Sequence, residues 1–320
     1  MVALTVVVPA TDGPATLTRC LAAMARADDG PDQLVVVDGP PELTVTEARN
    51  RGVDRATGDV VVFVDADVEV HPDAFRRVRA AFADPGLTAV FGSYDDRPPA
   101  PGVVSAFRNL LHHHVHQTSA GPAATFWTGL GAVRRSAFAA VGGFDEGRYP
   151  RPSVEDIDLG HRLAAGGARI RLDPDLQGTH LKRWTLRSML WTDFARRGVP
   201  WVGLLVRSPR PALSLNLGWR HRVSAGLCLA ALVAVVVGEV LLAGLGVAGL
   251  LACNAAFYAL LVRRQGLLRA AAGVGLHALH HLVAVAALPV GVAAALVDAV
   301  GSRGRRSVVL AAPREATSIP

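Results

Sequence analysis

The stretch Val60-Val-Val-Phe-Val-Asp65-Ala-Asp67 decides the fold, because an apolar run there ends abruptly in two carboxylates. Consecutive β-branched and aromatic residues between turn formers predict a buried strand. In an open α/β sheet, ligands bind beyond the carboxyl ends of the strands, where Asp65 and Asp67 fall. Residues two apart on a strand face the same side, so both carboxylates could hold one Mn²⁺ or Mg²⁺. The alternative is a strand that ends in a solvated acidic turn.

The residues around this stretch alternate between strand and helix patterns. Thr44 and Glu47 form a capping-box pattern at the start of one helix. Such alternation predicts an α/β fold: a Rossmann-like, mostly parallel sheet with helices on both faces. Asp38, after the second strand, would lie on the same sheet edge as Asp65 and Asp67. The predicted strands are 4–9, 33–37, 60–64 and 88–92, and the predicted helices are 14–24, 44–56 and 72–83.

The second half of the chain is strongly apolar. Hydrophobic residues make up 51% of the 320, and from Val223 to Val262 the only formally charged side chain is Glu239. A stretch about twice the ~20 residues needed to cross a bilayer predicts a helical hairpin. We expect helices at 223–242 and 247–262 with a turn at 244–246, and a third apolar run at 270–297. The alternative is a buried core helix.

The charge distribution favours a membrane over nucleic acid as the partner. The net charge is +6, with Arg220 and Arg222 before the first apolar run and Arg263, Arg264 and Arg269 after the second. Positive flanks predict a multi-pass protein of the cell (inner) membrane, with its N-terminal domain in the cytoplasm. The basic residues from 303 to 306 conflict with three full crossings, so a re-entrant third run and an exported tail both stay open.

These observations divide the chain into four parts. We expect a cytoplasmic catalytic domain at 1–200, a linker at 201–222, a membrane region of two or three helices at 223–300 and a polar tail at 301–320. Within the first part, Trp184–Gly198 mixes tryptophans and arginines as interfacial helices do, although core packing would leave a similar pattern. The strand-like start at Leu4 without a charged leader predicts no cleaved signal peptide. The three scattered cysteines are consistent with a reducing compartment.

A second acidic cluster follows in the chain. Glu155 and Asp156 are adjacent, and like-charge repulsion raises the pKa of one carboxyl in such a pair, which suits a general base. The alternative is an acidic first turn of a helix running to Ala165. His180 could be a third metal ligand, a diphosphate contact or a packed side chain. The histidines at 112, 113, 114 and 116 would scatter around a helix rather than converge on a metal.

The motifs together resemble family 2 glycosyltransferases over roughly residues 4 to 200. They are Pro9-Ala-Thr, Val37-Asp38-Gly39, Ala48-Arg49-Asn50-Arg51-Gly52, Asp65-Ala-Asp67, Trp127-Thr-Gly129, Gly142-Gly143-Phe144-Asp145-Glu146 and Glu155-Asp156-Ile-Asp158. One departure is a single Asp38 before Gly-Pro, where the family usually has two aspartates before Gly-Ser.

The resemblance implies a GT-A-type fold, an inverting transfer from a nucleotide-sugar donor, and a role for each motif. Asp156, with Glu155, would be the catalytic base. Pro9, Asp38, Arg49 and Asp65 would contact the donor, and Asp65 and Asp67 would hold the divalent metal. The residues alone add Arg183 as a further diphosphate contact and His180 as a candidate third metal ligand. Trp127, Gly129 and Trp184 would face the acceptor. A trailing membrane segment is common in the family.

The residues are compatible with more than one class of acceptor. A phosphate acceptor is already ionised and needs a base least, so Glu155-Asp156 favours a hydroxyl of a lipid or lipid-linked acceptor. The alternatives are a polyprenyl-phosphate sugar synthase and a non-catalytic nucleotide-sugar-binding membrane subunit. A processive polysaccharide synthase is disfavoured, because the Gln-x-x-Arg-Trp signature is reduced to His180-Leu-Lys-Arg183-Trp184. A nucleotidyltransferase is disfavoured because 9–13 lacks a phosphate loop.

Overall fold

The structure is a computed structural model that describes residues 2–40, 42–207, 215 and 218–310, with the backbone alone from 300 to 310. Its N-terminal part is an eight-stranded sheet in the order β2-β1-β3-β7-β5-β8-β4, with β6 paired to β8. The strands are β1 (Leu4–Pro9), β2 (Gln33–Val37), β3 (Val60–Val64), β4 (Val68–Val70), β5 (Leu87–Tyr94), β6 (Gly121–Ala123), β7 (Leu130–Arg134) and β8 (Arg169–His180).

The predicted α/β fold class is confirmed, but the sheet is mixed rather than mostly parallel. Three strand pairings are parallel and four are antiparallel. The main reason is β7, which returns between β3 and β5 and runs antiparallel to both. The β2-β1-β3 side has the parallel arrangement that the first strand–helix repeats predicted, and β5 and β8 form the third parallel pair.

Strand β3 is the centre of the sheet and is buried on both faces. Its alternate residues enter two hydrophobic cores, Val60, Val62 and Val64 on one side and Val61 and Phe63 on the other. Helices α1 (Leu17–Ala25) and α3 (Ala74–Phe82) cover the first face. Helices α2 (Val45–Asp54), α5 (Arg135–Ala140) and α6 (Glu155–Ala165) cover the second. Burial on both faces explains why the run is continuously apolar instead of alternating.

The remaining helices form a separate group, and some of them share a third core. Its buried members include Phe107, Trp184, Met189 and Phe257. The group consists of α4 (Val103–Gln117), α7 (Leu186–Trp191), a π-helix (Thr192–Gly198), α8 (Val199–Arg207), α9 (Trp219–Val236), α10 (Val240–Cys253), α11 (Ala255–Gln265) and α12 (Leu267–Leu310). Part of the predicted linker at 201–222 is therefore helical, and part of it, like residues 311–320 of the predicted tail, lies outside the described residues.

Two helices in the described part of the chain are long and apolar enough to cross a membrane, α9 and residues 267–299 of α12. Helices α10 and α11 pass the same test only as a pair bent by 75°, which makes a broken span or a re-entrant loop. The turn predicted at Gly244–Gly246 is wrong. The chain turns near Gly238, at φ +84°, while Gly246 lies inside α10 against Ala231 of α9, where a side chain would not fit.

The predicted interfacial stretch 184–198 is not one uniform helix. Trp184 precedes α7 and is buried, whereas Trp191 at the end of α7 is 60% exposed. The stretch then changes to π-helix geometry at Thr192. Both core packing and an exposed tryptophan therefore occur within one short segment.

Candidate active site

Three predicted donor-binding residues lie at one edge of the sheet. Pro9 ends β1 and pairs with Val37, the last residue of β2, so Asp38 follows directly beside it. Asp65 follows β3, which runs parallel to β1. Asp38 is exposed and Asp65 is half-buried. The parallel register thus places the three strand ends side by side, as the sequence predicted.

Arg49 connects this edge to the second acidic cluster. Its side chain is almost fully buried, and Nη2 donates to Asp65 Oδ1 at 2.9 Å while Nη1 donates to Glu155 Oε1 at 2.9 Å. Its Cζ also lies 5.6 Å from the centre of the Phe144 ring. Burial would lower the pKa of Arg49, but Asp65, Glu155 and Asp156 outweigh burial and raise it. The permanent positive charge of Arg49 therefore binds one carboxylate 16 positions away and another 106 positions away, which no local sequence pattern reveals.

Glu155 and Asp156, although adjacent, have different surroundings. Glu155 is buried, and both of its oxygens accept: Oε1 from Arg49 and Oε2 from the Ser153 backbone N–H at 2.6 Å. Asp156 is less buried and accepts weaker contacts, from the Ile157 N–H at 2.8 Å and from the Thr128 N–H at 3.4 Å. Glu155 is therefore held in an ion pair, while Asp156 is the carboxylate with freer oxygens.

The environment of Asp156 favours a proton acceptor that works near neutral pH. Burial, and then repulsion from Glu155, raise the pKa of Asp156 to about 7, while Arg49 acts in the opposite direction. The sequence predicted that repulsion raises the pKa of one carboxyl of this pair, and in the structure the raised pKa belongs to Asp156. A carboxyl with a pKa raised in this way is typical of a general acid or base.

The two aspartates after β3 also differ in their partners. Asp65 contacts Arg49, whereas Asp67 Oδ2 faces His180 Nε2 at 3.6 Å. The His180 ring is buried and stacks on Tyr94 with a centroid distance of 4.0 Å. Burial would raise the pKa of Asp67, but His180 and Lys182 lower it. Strand β4 pairs Val68 with His180, which explains why the aspartate and the histidine meet.

In residues 2–40, 42–207, 215 and 218–299, no three His, Cys, Asp or Glu side chains converge as a metal site. Asp67 and His180 are the pair that comes closest to the predicted ligand set. Two ligands, each about 2.1 Å from one ion, can lie up to about 4 Å apart, so the 3.6 Å separation fits a shared divalent cation. One carboxylate oxygen of Asp65 accepts a hydrogen bond from Arg49, which leaves the other oxygen available to the same cation.

Trp127 and Gly129 lie beside the candidate base. A Cβ on Gly129 would come within 2.1 Å of the Trp127 indole, so only glycine leaves room for this ring. Trp127 also packs against Tyr94 and His112. Since Thr128, between them, points its N–H at Asp156, the whole Trp-Thr-Gly segment borders the carboxylate.

The histidines of α4 serve different contacts. His113 Nδ1 lies 2.8 Å from the Tyr94 carbonyl, and His116 Nδ1 lies 2.8 Å from the Gly92 carbonyl. His112 stacks between Tyr94 and His116, and burial lowers its pKa well below the usual range. Burial therefore favours the neutral form of His112, which packs against Trp127.

Two predicted site residues, Arg183 and Trp184, form no hydrogen bond or ion pair with the carboxylates of the site in the described structure. Arg183 is exposed and makes no hydrogen bond or ion pair with the described residues. Trp184 is buried with its ring between Arg108 and Lys182, at 5.1 and 4.8 Å, so these contacts cover the faces that an acceptor would use. Sequence reasoning missed Tyr94 and Ser153, because neither stands in a recognisable motif.

These features define the class of protein: an α/β domain with a GT-A-like fold, joined to apolar helices. A similar overall fold is found in the mannosyltransferase PcManGT from Pyrobaculum calidifontis, solved in complex with GDP-Man and Mn²⁺. The TM-score is 0.53 at 19% identity, covering 93% of this chain and 88% of that one. This likeness extends over the helical region as well as the sheet.

Residues 41–142 match the glycosyl transferase family 2 model, and the chain therefore contains a family 2 glycosyltransferase domain. The chain is 31% identical over 175 residues to the pre-mycofactocin glycosyltransferase of Mycobacterium tuberculosis, covering 48% of this chain and 34% of that protein. It is 29% identical over 220 residues to the validoxylamine A glucosyltransferase of Streptomyces hygroscopicus subsp. limoneus, covering 51% and 48%. The chain thus spans between a third and a half of the length of these relatives.

Proposed function

We propose that this protein is a membrane-anchored, inverting glycosyltransferase that moves a sugar from a nucleotide-diphosphate sugar to a hydroxyl of a lipid or lipid-linked acceptor. The observation that carries the proposal is Asp156, a carboxylate with a pKa raised to about 7, at the end of a path through Glu155 and Arg49 to Asp65. The family 2 domain and the names of its relatives support the transferase class.

Asp156 would take the proton of the acceptor hydroxyl as that oxygen attacks the anomeric carbon. A base with a pKa near the working pH combines a useful ionised fraction with enough basicity to assist the attack. Glu155 would act indirectly, since its oxygens are occupied by Arg49 and Ser153 and its charge keeps Asp156 basic. A single displacement by the acceptor would invert the anomeric centre.

The strand ends would bind the donor. Asp38, exposed at the end of β2, is available to the nucleoside, and Pro9 lies beside it. Asp67 and His180, with the free oxygen of Asp65, would hold a Mn²⁺ or Mg²⁺ ion next to the diphosphate. Such an ion, when bound, stabilises the negative charge that develops on the departing diphosphate. Arg49 keeps Asp65 oriented, and the exposed Arg183 could reach the same phosphates.

The acceptor class is proposed from the chemistry of the base and from the apolar helices. An ionised phosphate acceptor would need no carboxylate with a raised pKa, whereas a hydroxyl would. The two or three candidate spans, with exposed Trp191 near the site-bearing domain, suit an acceptor that lies in a bilayer. The arginines around α9 and α11 support a multi-pass protein of the cell membrane with its catalytic domain in the cytoplasm.

The test is nucleotide release from a panel of guanosine and uridine diphosphate sugars, using membranes with wild type, Asp67→Ala or Asp156→Asn. Each is assayed with Mn²⁺ and with chelator, with and without lipid extracts. We expect release by wild type with Mn²⁺, and a loss of at least about 100-fold in each variant. Arg26→Ala, an exposed change remote from these carboxylates, serves as the control.

The outcomes separate the alternatives. Release that needs polyprenyl phosphate and survives Asp156→Asn would identify a polyprenyl-phosphate sugar synthase. Binding of a nucleotide sugar without turnover, across all lipid extracts, would indicate a non-catalytic subunit. Equal activity with chelator and with Mn²⁺ would show that sugar transfer by this protein needs no divalent metal.

A further inference from the structure

An ion-pair network joins helix α12 to the sheet-bearing domain through the π-helix. His280 of α12 donates from Nδ1 to Asp193 Oδ2 at 2.8 Å, and Arg108 of α4 pairs with Asp193 Oδ1 at 2.9 Å. Asp193 and Arg108 are both buried. Burial alone would raise the pKa of Asp193, but Arg108 and His280 outweigh burial and keep it below its usual range. Asp193 therefore holds a permanent charge between three helices.

The π-helix is also packed tightly on α12 further along. A Cβ on Gly198 would lie 2.6 Å from the Ala287 methyl, so the backbone of the π-helix rests directly against α12. In the same way, Gly291 of α12 lies against Val202 of α8, at 2.6 Å from a built Cβ. Contacts at His280, Ala287 and Gly291 follow one face of α12 over about three turns. A π-helix between α-helices is often a functional feature.

The other side of the π-helix reaches the acidic cluster. Ser153 donates from Oγ to the Arg196 carbonyl at 2.8 Å, and its N–H donates to Glu155 Oε2 at 2.6 Å. Glu155 then accepts from Arg49, which holds Asp65. The path from His280 through Asp193, Arg196, Ser153 and Glu155 is called here the π-helix link. Each step outside the π-helix itself is a hydrogen bond of 2.6 to 2.9 Å.

We propose that Ser153, Asp193 and His280 are positioning residues that let α12 set the placement of Glu155, Arg49 and Asp65 through the π-helix. This inference rests on the proposed function for its kinetic consequence, but its structural content does not depend on catalysis. The contact of the π-helix with α12 would hold the carboxylates at a fixed distance from an acceptor that enters from the bilayer. Small misplacements of reacting groups are costly, so a loosened link would slow turnover.

Two other ion pairs, one between the domain and the helices and one within the helical group, provide the comparison. Arg264 of α11 pairs with Asp96 after β5, and Arg207 of α8 pairs with Asp298 of α12. Neither pair leads to Glu155 by hydrogen bonds between described residues. Arg264→Ala therefore removes a contact between the domain and the helices, and Arg207→Ala removes a contact between two helices, without touching the π-helix link.

The experiment uses the full-length protein in lipid nanodiscs and compares Ser153→Ala, His280→Leu, His280→Asn, the double Ser153→Ala/His280→Leu and the two arginine controls. The first readout is hydrogen–deuterium exchange of the segment 153–158. We expect faster exchange there in Ser153→Ala and His280→Leu. His280→Asn, whose amide can donate to Asp193, should restore protection, and the controls should match wild type.

The second readout is steady-state kinetics with a donor that wild type uses. We expect kcat to fall about 5- to 50-fold in Ser153→Ala and His280→Leu with the donor KM changed less than twofold. The kcat of the double variant should fall no further than that of the more impaired single variant, because both changes break one path.

Two results would overturn the link: unchanged exchange at 153–158 in both single variants, or multiplicative kinetic losses in the double. If His280→Leu fails to fold, the exchange and kinetics of Ser153→Ala alone decide whether the link exists. That variant removes only one partly buried hydroxyl, so we expect it to fold. A wild type that releases no nucleotide from any donor counts against the proposed function only, because the exchange readout still decides the link.

Discussion

Asp156 and Glu155 illustrate how two adjacent carboxylates acquire different roles from their contacts. Glu155 is paired to Arg49 and to a backbone N–H, so it is held as a buried anion. Asp156 has no cation at hydrogen-bond distance in the described structure and lies beside the charge of Glu155, which with burial raises its pKa. The pair therefore separates into an ion-paired carboxylate and a carboxylate with a raised pKa, and two predictions follow from that separation.

The first prediction concerns the pH dependence of kcat. Asp156 accepts a proton only when ionised, so kcat should rise with pH and reach half its plateau near pH 7. Glu155→Gln removes the repelling charge and should move the midpoint to lower pH, although it also weakens the Arg49 pair. The measurement is kcat at saturating donor from pH 5 to 9. A flat profile over this range would contradict a base role for Asp156.

The second prediction concerns stability. The unfolded chain ionises Asp156 near pH 4 but the folded protein only near pH 7, so between these values the folded state binds more protons and stability falls as pH rises. Asp156→Asn avoids this cost and should stabilise the fold by about 1 to 3 kcal/mol at pH 8. The advantage should shrink towards pH 5. Thermal unfolding in detergent at both pH values measures it, and equal melting temperatures at pH 8 would refute it.

At the scale of elements, α6 depends on a close approach to the loop before Trp127. A Cβ on Gly160 would lie 2.2 Å from the Phe126 nitrogen and 2.4 Å from the Thr125 carbonyl carbon. These are backbone atoms, so the helix itself would have to shift. Because α6 begins at Glu155, the shift would move Asp156 away from the Thr128 N–H.

The third prediction is therefore that Gly160→Ala destabilises the protein by about 1 to 3 kcal/mol and lowers kcat. The control is Gly166→Ala at the end of the same helix, where φ is −79° and a Cβ meets its nearest neighbours at 3.4 and 3.6 Å. Chemical denaturation and kcat are measured for both. The idea fails if the two variants behave alike.

At the scale of the whole molecule, the sheet-bearing domain and the apolar helices are joined at several points. The third hydrophobic core mixes residues of α4 with those of α11 and α12, and ion pairs at Asp96 and Asp193 add to it. Buried contacts of this kind hold the site at a defined height relative to the candidate spans. If the candidate spans cross a membrane, their orientation would decide which compartment supplies the proposed donor.

The fourth prediction is that the N-terminal domain lies in the cytoplasm and the α9–α10 turn lies outside. Asp28→Cys should react with an impermeant maleimide only after cells are permeabilised, whereas Glu239→Cys should react in intact cells. Both positions are exposed, and wild type, with Cys20, Cys228 and Cys253, gives the background. Labelling of Asp28→Cys in intact cells would reverse the topology.

The sequence by itself determined the central strand, the carboxylates at its end, the order of the glycosyltransferase motifs and the apolar C-terminal half. The strand and the apolar half follow from local periodicity and composition, and the motifs from the resemblance of short segments to a family, all of which the chain carries without folding. The antiparallel insertion of β7, the turn at Gly238 and the difference between Asp65 and Asp67 came only from the tertiary structure. So did the Arg49 pairs and the contact between Asp193 and His280, because their partners lie 16, 106 and 87 positions apart. Charge pairing, burial and the resulting pKa values depend on distances in space, and those are settled only when the sheet and helices pack together.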